Sequence, residues 1–116
     1  MKGATVAGAM VTKVGVVGAG QMGNGIAQVA AVAGFDVIMV DVNPEFVENG
    51  MRSIRASLDK FVAKDKLSRA DADAALGRIR ASHAQLDLAD RELVIEAIVE
   101  NEEVKVKLWK HLDAIV

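Results

Sequence analysis

The chain has 116 residues, 16 Asp+Glu against 14 Lys+Arg, 52% hydrophobic residues and no cysteine. That length suits one domain around one hydrophobic core, and the hydrophobic share excludes intrinsic disorder as the main state. The balanced charge argues against a dedicated nucleic-acid binder and the lack of cysteine excludes a disulfide scaffold; no apolar stretch reaches the roughly 18 residues of a membrane span.

Residues 1–12 read as a flexible amino-terminal tail, small and apolar but without the sustained greasy run of a secretory signal. Lys13–Val17 is a β-branched run that predicts a buried strand ending at Gly18. Met22–Ala33 follows with helical spacing and Gly34 as its carboxyl-terminal cap. Phe35–Val40 is a second strand ending at Asp41. Strand, turn, helix and strand in this order make a right-handed βαβ unit with parallel strands. Asn43-Pro44 is a helix start, with Val47, Met51, Ile54, Leu58 and Phe61 as one apolar seam reaching about Lys64. Ser68 caps a shorter helix ending near Gly77, so the two form a hairpin. Arg78–Ser82 is a short strand candidate and Leu93–Val99 a stronger one. From Glu102 to Val116, Val104, Leu108 and Leu112 recur at steps of four and predict a last amphipathic helix.

Gly18-Ala19-Gly20-Gln21-Met22-Gly23 matches G-x-G-x-x-G. It follows a strand, opens a helix, and is trailed by an acidic residue at the next strand end, which together form the dinucleotide-binding fingerprint. Gly18 permits the turn, Gly20 lets a pyrophosphate approach the backbone, and Gly23 lets the helix pack close. The unpaired N–H groups and positive dipole end of the helix then face the phosphates. Asp41 can accept from both adenosine ribose hydroxyls and would repel a 2′-phosphate, so NAD is expected over NADP. These features predict an α/β, Rossmann-type doubly wound parallel sheet, incomplete and carrying a helical hairpin insertion, over residues 13–116.

Val16–Gln28, containing the glycine loop, closely resembles the amino end of the 3-hydroxyacyl-CoA dehydrogenases, including the 3-hydroxybutyryl-CoA dehydrogenases. Val94-Ile95-Glu96-Ala97-Ile98-Val99-Glu100-Asn101, with Lys105, Leu108 and Trp109, resembles a second block of that family. The resemblance implies NAD-dependent interconversion of a 3-hydroxyacyl-CoA and a 3-oxoacyl-CoA. It places the NAD contacts on Gly18, Ala19, Gly20, Gln21, Met22, Gly23, Asp41, Glu100 and Lys105. It places coenzyme A contacts on Ser57 and Lys64, in a stretch where Arg52, Arg55, Lys60, Lys64, Lys66 and Arg69 outnumber Asp59 and Asp65. Phosphate-bearing coenzyme A suits such a cationic, hydroxyl-bearing face.

The resemblance also implies a catalytic His, with a Glu, Ser and Asn, all beyond Val116, and a separate all-helical domain. Neither His83 nor His111 matches the catalytic position, so no catalytic residue and no metal ligand set is assigned within this chain. The chain is therefore expected to be the truncated NAD-binding part of a cytoplasmic oxidoreductase of fatty-acid or related metabolism, inactive alone. The strand at Leu93–Val99 is expected to leave an apolar sheet edge that pairs with another copy, giving a homo-oligomer. Two other readings stay open: another NAD-linked hydroxyacid dehydrogenase, and a non-catalytic nucleotide-binding module.

Overall fold

A computed structural model describes residues 4–6, 9–98 and 103–108, with side chains described over 12–97. Lys13–Val17 (β3) forms the middle of a five-stranded sheet. On one side it pairs in parallel with Asp36–Val40 (β4), which pairs in parallel with Ile79–Ser82 (β5). On the other side it pairs in parallel with Leu93–Ile98 (β6), which pairs antiparallel with Glu103–Leu108 (β7). The βαβ expectation is met: Gln21–Val32 (α1) crosses between β3 and β4.

Two antiparallel strands, Ala4–Val6 (β1) and Ala9–Val11 (β2), occupy the stretch expected as a loose tail. They are three residues each, too short to announce themselves by periodicity, and pairing alone defines them.

Local signals account for the helix ends. α1 stops in a Schellman motif, with Gly34 at φ 105° and the Phe35 amide donating to the Ala30 carbonyl at 3.0 Å. Pro44–Ala63 (α2) starts with the Asn43 side chain accepting from the Glu45 amide, and Arg69–Gly77 (α3) with Ser68 accepting from the Asp71 amide. α2 ends in a second Schellman motif whose left-handed residue is Asp65, at φ 55°.

Alternate residues of the buried strands serve opposite faces. Val14, Val16, Val37 and Met39 pack against Ala27 and Ala31 of α1, Val47, Ile54 and Leu58 of α2, and Ala72 and Ala75 of α3. Small alanines let three helices share this face. Ile38, Val40 and Val94 face the other way and are covered by Leu88, in a short 3-10 turn at Gln85–Leu88. The apolar seam of α2 holds as far as Leu58; from there Val62 packs on the core while Phe61 stays 39% exposed.

Two expectations about the carboxyl end change. The helix predicted over Glu102–Val116 is a strand over Glu103–Leu108; residues 109–116 lie outside the described residues. Val104 and Leu108 fit both a four-step and a two-step repeat, but Val106 fits only the two-step one, with Lys105 and Lys107 between. The edge of β6 expected to pair with another copy is consequently occupied by β7.

Arg91, only 2% exposed, locks the rim where the parallel strands begin. Its guanidinium donates to both oxygens of Asp90 at 2.8 and 2.9 Å and to the carbonyl and carboxylate of Asp36 at 3.0 and 3.1 Å. Burial acts to lower the Arg91 pKa, and its bonds to Asp90 and Asp36 outweigh this and hold it raised. The Arg91 hydrogen bond holds the Asp90 carboxyl at about 2, below the usual 3.8. A lowered carboxyl pKa stabilises the fold above its unfolded value, and that contribution fades as pH falls through the folded one. Asp90→Asn is therefore expected to melt below the wild type at pH 6, with the gap closing between about pH 4 and pH 2. Thermal melts of both proteins across that range check it, and a gap independent of pH contradicts it.

Candidate functional site

The four parallel strands end at one rim, where the glycine loop and Asp41 meet. The chain turns from β3 to β4 on one side while β6 lies on the other, so the crevice above β3 and β6 is the topological switch point. Gly18 leaves β3 at φ 104°, and its amide donates to the Val40 carbonyl of β4 at 2.7 Å. A Cβ on Gly18 would collide with the Ala97 carbonyl of β6. A Cβ on Gly23, in the first turn of α1, would overlap the Gly18 carbonyl itself. Loop and helix thus touch backbone to backbone.

The start of α1 is bare. Gly20 is its N-cap, without a side-chain cap, and the first turn has no acidic residue. Its free N–H groups and the positive end of the dipole suit an anion. Asp41 borders this opening. One carboxylate oxygen accepts from the Ala19 amide and the other from the Asn43 amide, both at 3.0 Å. Each oxygen has two acceptor directions, so both keep capacity for a hydroxyl donor. The carboxylate therefore braces the loop and still offers itself to a ribose. A side-chain-free bend, an uncapped helix start and an adjacent carboxylate fit the pyrophosphate and ribose of a dinucleotide.

A groove of about 630 Å³ opens beside the loop, between Gly20, Gln21 and Asn24 on one wall and Phe46, Asn49 and Ser53 of α2 on the other. Gly50 allows α2 to come this close, since a Cβ there would lie 2.7 Å from the Ala19 carbonyl.

Residues 13–116 match the family described as the 3-hydroxyacyl-CoA dehydrogenase NAD binding domain. The chain belongs to that family. Its cofactor is NAD. A 3-hydroxybutyryl-CoA dehydrogenase of Bradyrhizobium diazoefficiens is 49% identical over 108 residues, 93% of this chain and 37% of the relative. A probable 3-hydroxybutyryl-CoA dehydrogenase of Deinococcus radiodurans is 51% identical over 104 residues, 90% of this chain and 37% of the relative. The crystal structure of (S)-3-hydroxybutyryl-CoA dehydrogenase from Ralstonia eutropha gives a TM-score of 0.75 at 47% identity, covering 78% of this chain and 32% of that one. The chain thus spans about 37% of the length of these curated relatives.

Within this NAD-binding domain the structure brings Gly18, Ala19, Gly20, Gln21, Met22, Gly23 and Asp41 together at one rim. Glu100 lies outside the described residues, and Lys105 falls on β7, paired in register with Glu96, instead of on a helix. Ser57 and Lys64 stand apart from the loop, about two turns from each other along α2, and so share a face of its axis. Ser57 is half-buried and accepts from the Gln28 side chain of α1 at 2.9 Å, whereas Lys64 is exposed. Arg69, part of the cationic stretch, is engaged by Asp59 at 3.0 Å and Asp73 at 3.5 Å.

Sequence reasoning missed the α2 wall of the groove. Its signal was a second stripe beside the apolar seam, Phe46, Asn49, Gly50, Ser53 and Ser57 at helical steps. Among the described residues no group of three or more His, Cys, Asp or Glu could hold a metal, and no helix is long and apolar enough to cross a membrane.

Proposed function

We propose that this chain is the NAD-holding part of a dehydrogenase that interconverts 3-hydroxyacyl-CoA and 3-oxoacyl-CoA, with 3-hydroxybutyryl-CoA as the substrate class its relatives' names suggest. The observation that carries the reading is the Asp41 carboxylate, shared between the Ala19 and Asn43 amides beside an uncapped helix start. In this reading the Gly18–Gly23 loop and the first turn of α1 receive the pyrophosphate, and Asp41 accepts from the adenosine ribose. Glu100 and Lys105 add contacts to the same cofactor, and Ser57 and Lys64 hold phosphate of the coenzyme A thioester. Bound NAD supplies the two-electron acceptor for the hydride leaving C3 of the substrate.

This chain's residues bind and orient; the proton of the C3 hydroxyl goes to a base that the family resemblance places beyond Val116. His83 is exposed and lies past the end of β5, with no carboxylate hydrogen bond among the described residues to orient it. The reading extends to a cytoplasmic enzyme, supported by the bacterial relatives. Self-association rests on the family resemblance, because β7 occupies the β6 edge.

Calorimetric titration tests both halves. The chain is expected to bind NAD saturably, to bind NADP at least about ten-fold more weakly because Asp41 faces the 2′-position, and to oxidise no NADH with acetoacetyl-CoA. Equal affinity for the two nucleotides would remove Asp41 from the ribose. Sustained NADH oxidation would show a complete catalytic set within the chain.

A further inference from the structure

Gln28 is one of two polar or charged residues in the described core, 8% exposed on the buried face of α1 with Ala27 and Ala31. An apolar residue there would fill the seam without the desolvation that a buried amide incurs. The amide has one side-chain partner: its Nε2 donates to Ser57 Oγ at 2.9 Å. Gln28 lies one turn beyond Asn24 on α1, and Ser57 one turn beyond Ser53 on α2, so the pair continues the two walls of the groove away from the glycine loop.

The direction of this hydrogen bond matters. A hydroxyl has one proton and two acceptor directions. With one acceptor direction taken by the Gln28 amide, and no other hydrogen bond made by Ser57 among the described residues, its proton remains for an outside acceptor. A phosphate offers only acceptors at neutral pH. We propose that Gln28 is a positioning residue that sets the Ser57 hydroxyl as an outward donor for a phosphate of coenzyme A. The inference rests on the assignment of Ser57 to the thioester, and deepens it by naming what orients that hydroxyl.

The test measures coenzyme A and NAD affinities of the wild-type chain, Ser57→Ala, Gln28→Met and the double variant. Met keeps the volume in the seam and removes the donor. Ser57→Ala is expected to weaken coenzyme A about ten-fold. Gln28→Met is expected to weaken it several-fold, and the double variant no further than Ser57→Ala alone, because the two act through one hydroxyl. NAD affinity, read at the far end of α1, is expected to stay unchanged in all three.

Where Gln28→Met does not fold, Gln28→Glu keeps the shape and reverses the polarity. Read at about pH 9, where the buried carboxyl is ionised, it only accepts, turns the Ser57 proton inward, and is expected to lose coenzyme A at least as strongly as Ser57→Ala. Coenzyme A binding at the wild-type level by a folded Gln28 variant, with Ser57→Ala impaired, overturns the positioning role and leaves the Ser57 assignment standing. Unimpaired Ser57→Ala, or no saturable coenzyme A binding by the wild type, overturns the assignment and the inference with it. Parallel loss of NAD and coenzyme A affinity would mark Gln28 as merely structural.

Discussion

Gly23→Ala is expected to bring NAD binding below detection and to lower the melting temperature. The added methyl would overlap the Gly18 carbonyl oxygen, a backbone atom of a residue tied to β4 by its amide's bond to Val40 and closely approached by the Ala97 carbonyl of β6. Neither partner is a flexible side-chain end, so relief requires α1 to move away from the loop. Overpacking of this kind costs about 1–3 kcal/mol or more, against roughly 1 kcal/mol gained from replacing a helical glycine by alanine. In the proposed function the first turn of α1 and the loop receive the pyrophosphate together, so the shift that relieves the clash also opens that site. Gly25→Ala is the control. It lies in the same helix, a Cβ there meets nothing within 4 Å, and the propensity gain stands alone. That variant is expected to bind NAD normally and to melt at the same temperature or slightly higher. Paired melts and NAD titrations read the contrast, and NAD binding by Gly23→Ala at the wild-type level would contradict the close backbone packing.

Asp41→Ala is expected to weaken NAD by roughly ten- to hundred-fold, on the order of 1.5–3 kcal/mol, the range for hydrogen bonds to a charged group. Two losses combine. The ribose hydroxyls lose their acceptor, and the Ala19 and Asn43 amides lose the oxygens that tie the loop to the end of β4. NADP, which the wild-type carboxylate repels, is expected to lose less affinity than NAD or to gain. The ratio of NAD to NADP affinity therefore falls further than a general loosening of the loop would allow. Calorimetry with both nucleotides on both proteins measures that ratio. A ratio unchanged by the substitution would place the carboxylate in a bracing role alone.

Much of this site was legible before any coordinates. The glycine loop, the strand before it and Asp41 are linked by a short βαβ path, and each step carries a local mark: β-branched residues, glycines at fixed spacing, an acidic residue at a strand end. The caps at Asn43 and Ser68 were equally local, because a side chain reaching two or three residues ahead is visible in the order of residues. Other features were not. The resemblance marked Ser57 as a coenzyme A contact on a cationic helix, but nothing nearby in sequence marks Gln28, 29 positions away, as its donor. Gly50 carries no mark of its own inside a helix, yet its lack of a side chain is what admits the Ala19 carbonyl. The stretch after Asn101 looked helical because a repeat of four satisfies two periods at once, and the pairing of β6 with β7 selects between them.

The order of residues by itself determined the central βαβ unit, the glycine-rich bend, the acidic residue at the end of the next strand and the helical hairpin. Each of those depends on backbone conformation and hydrogen bonds reaching a few residues, which residue type governs directly. Tertiary structure alone decided that Glu103–Leu108 runs as a strand, that α2 rests against the glycine loop, and that Gln28 meets Ser57. Those outcomes depend on which surfaces come into contact once the sheet has formed, and segments far apart in the chain carry no mark of one another until packing joins them.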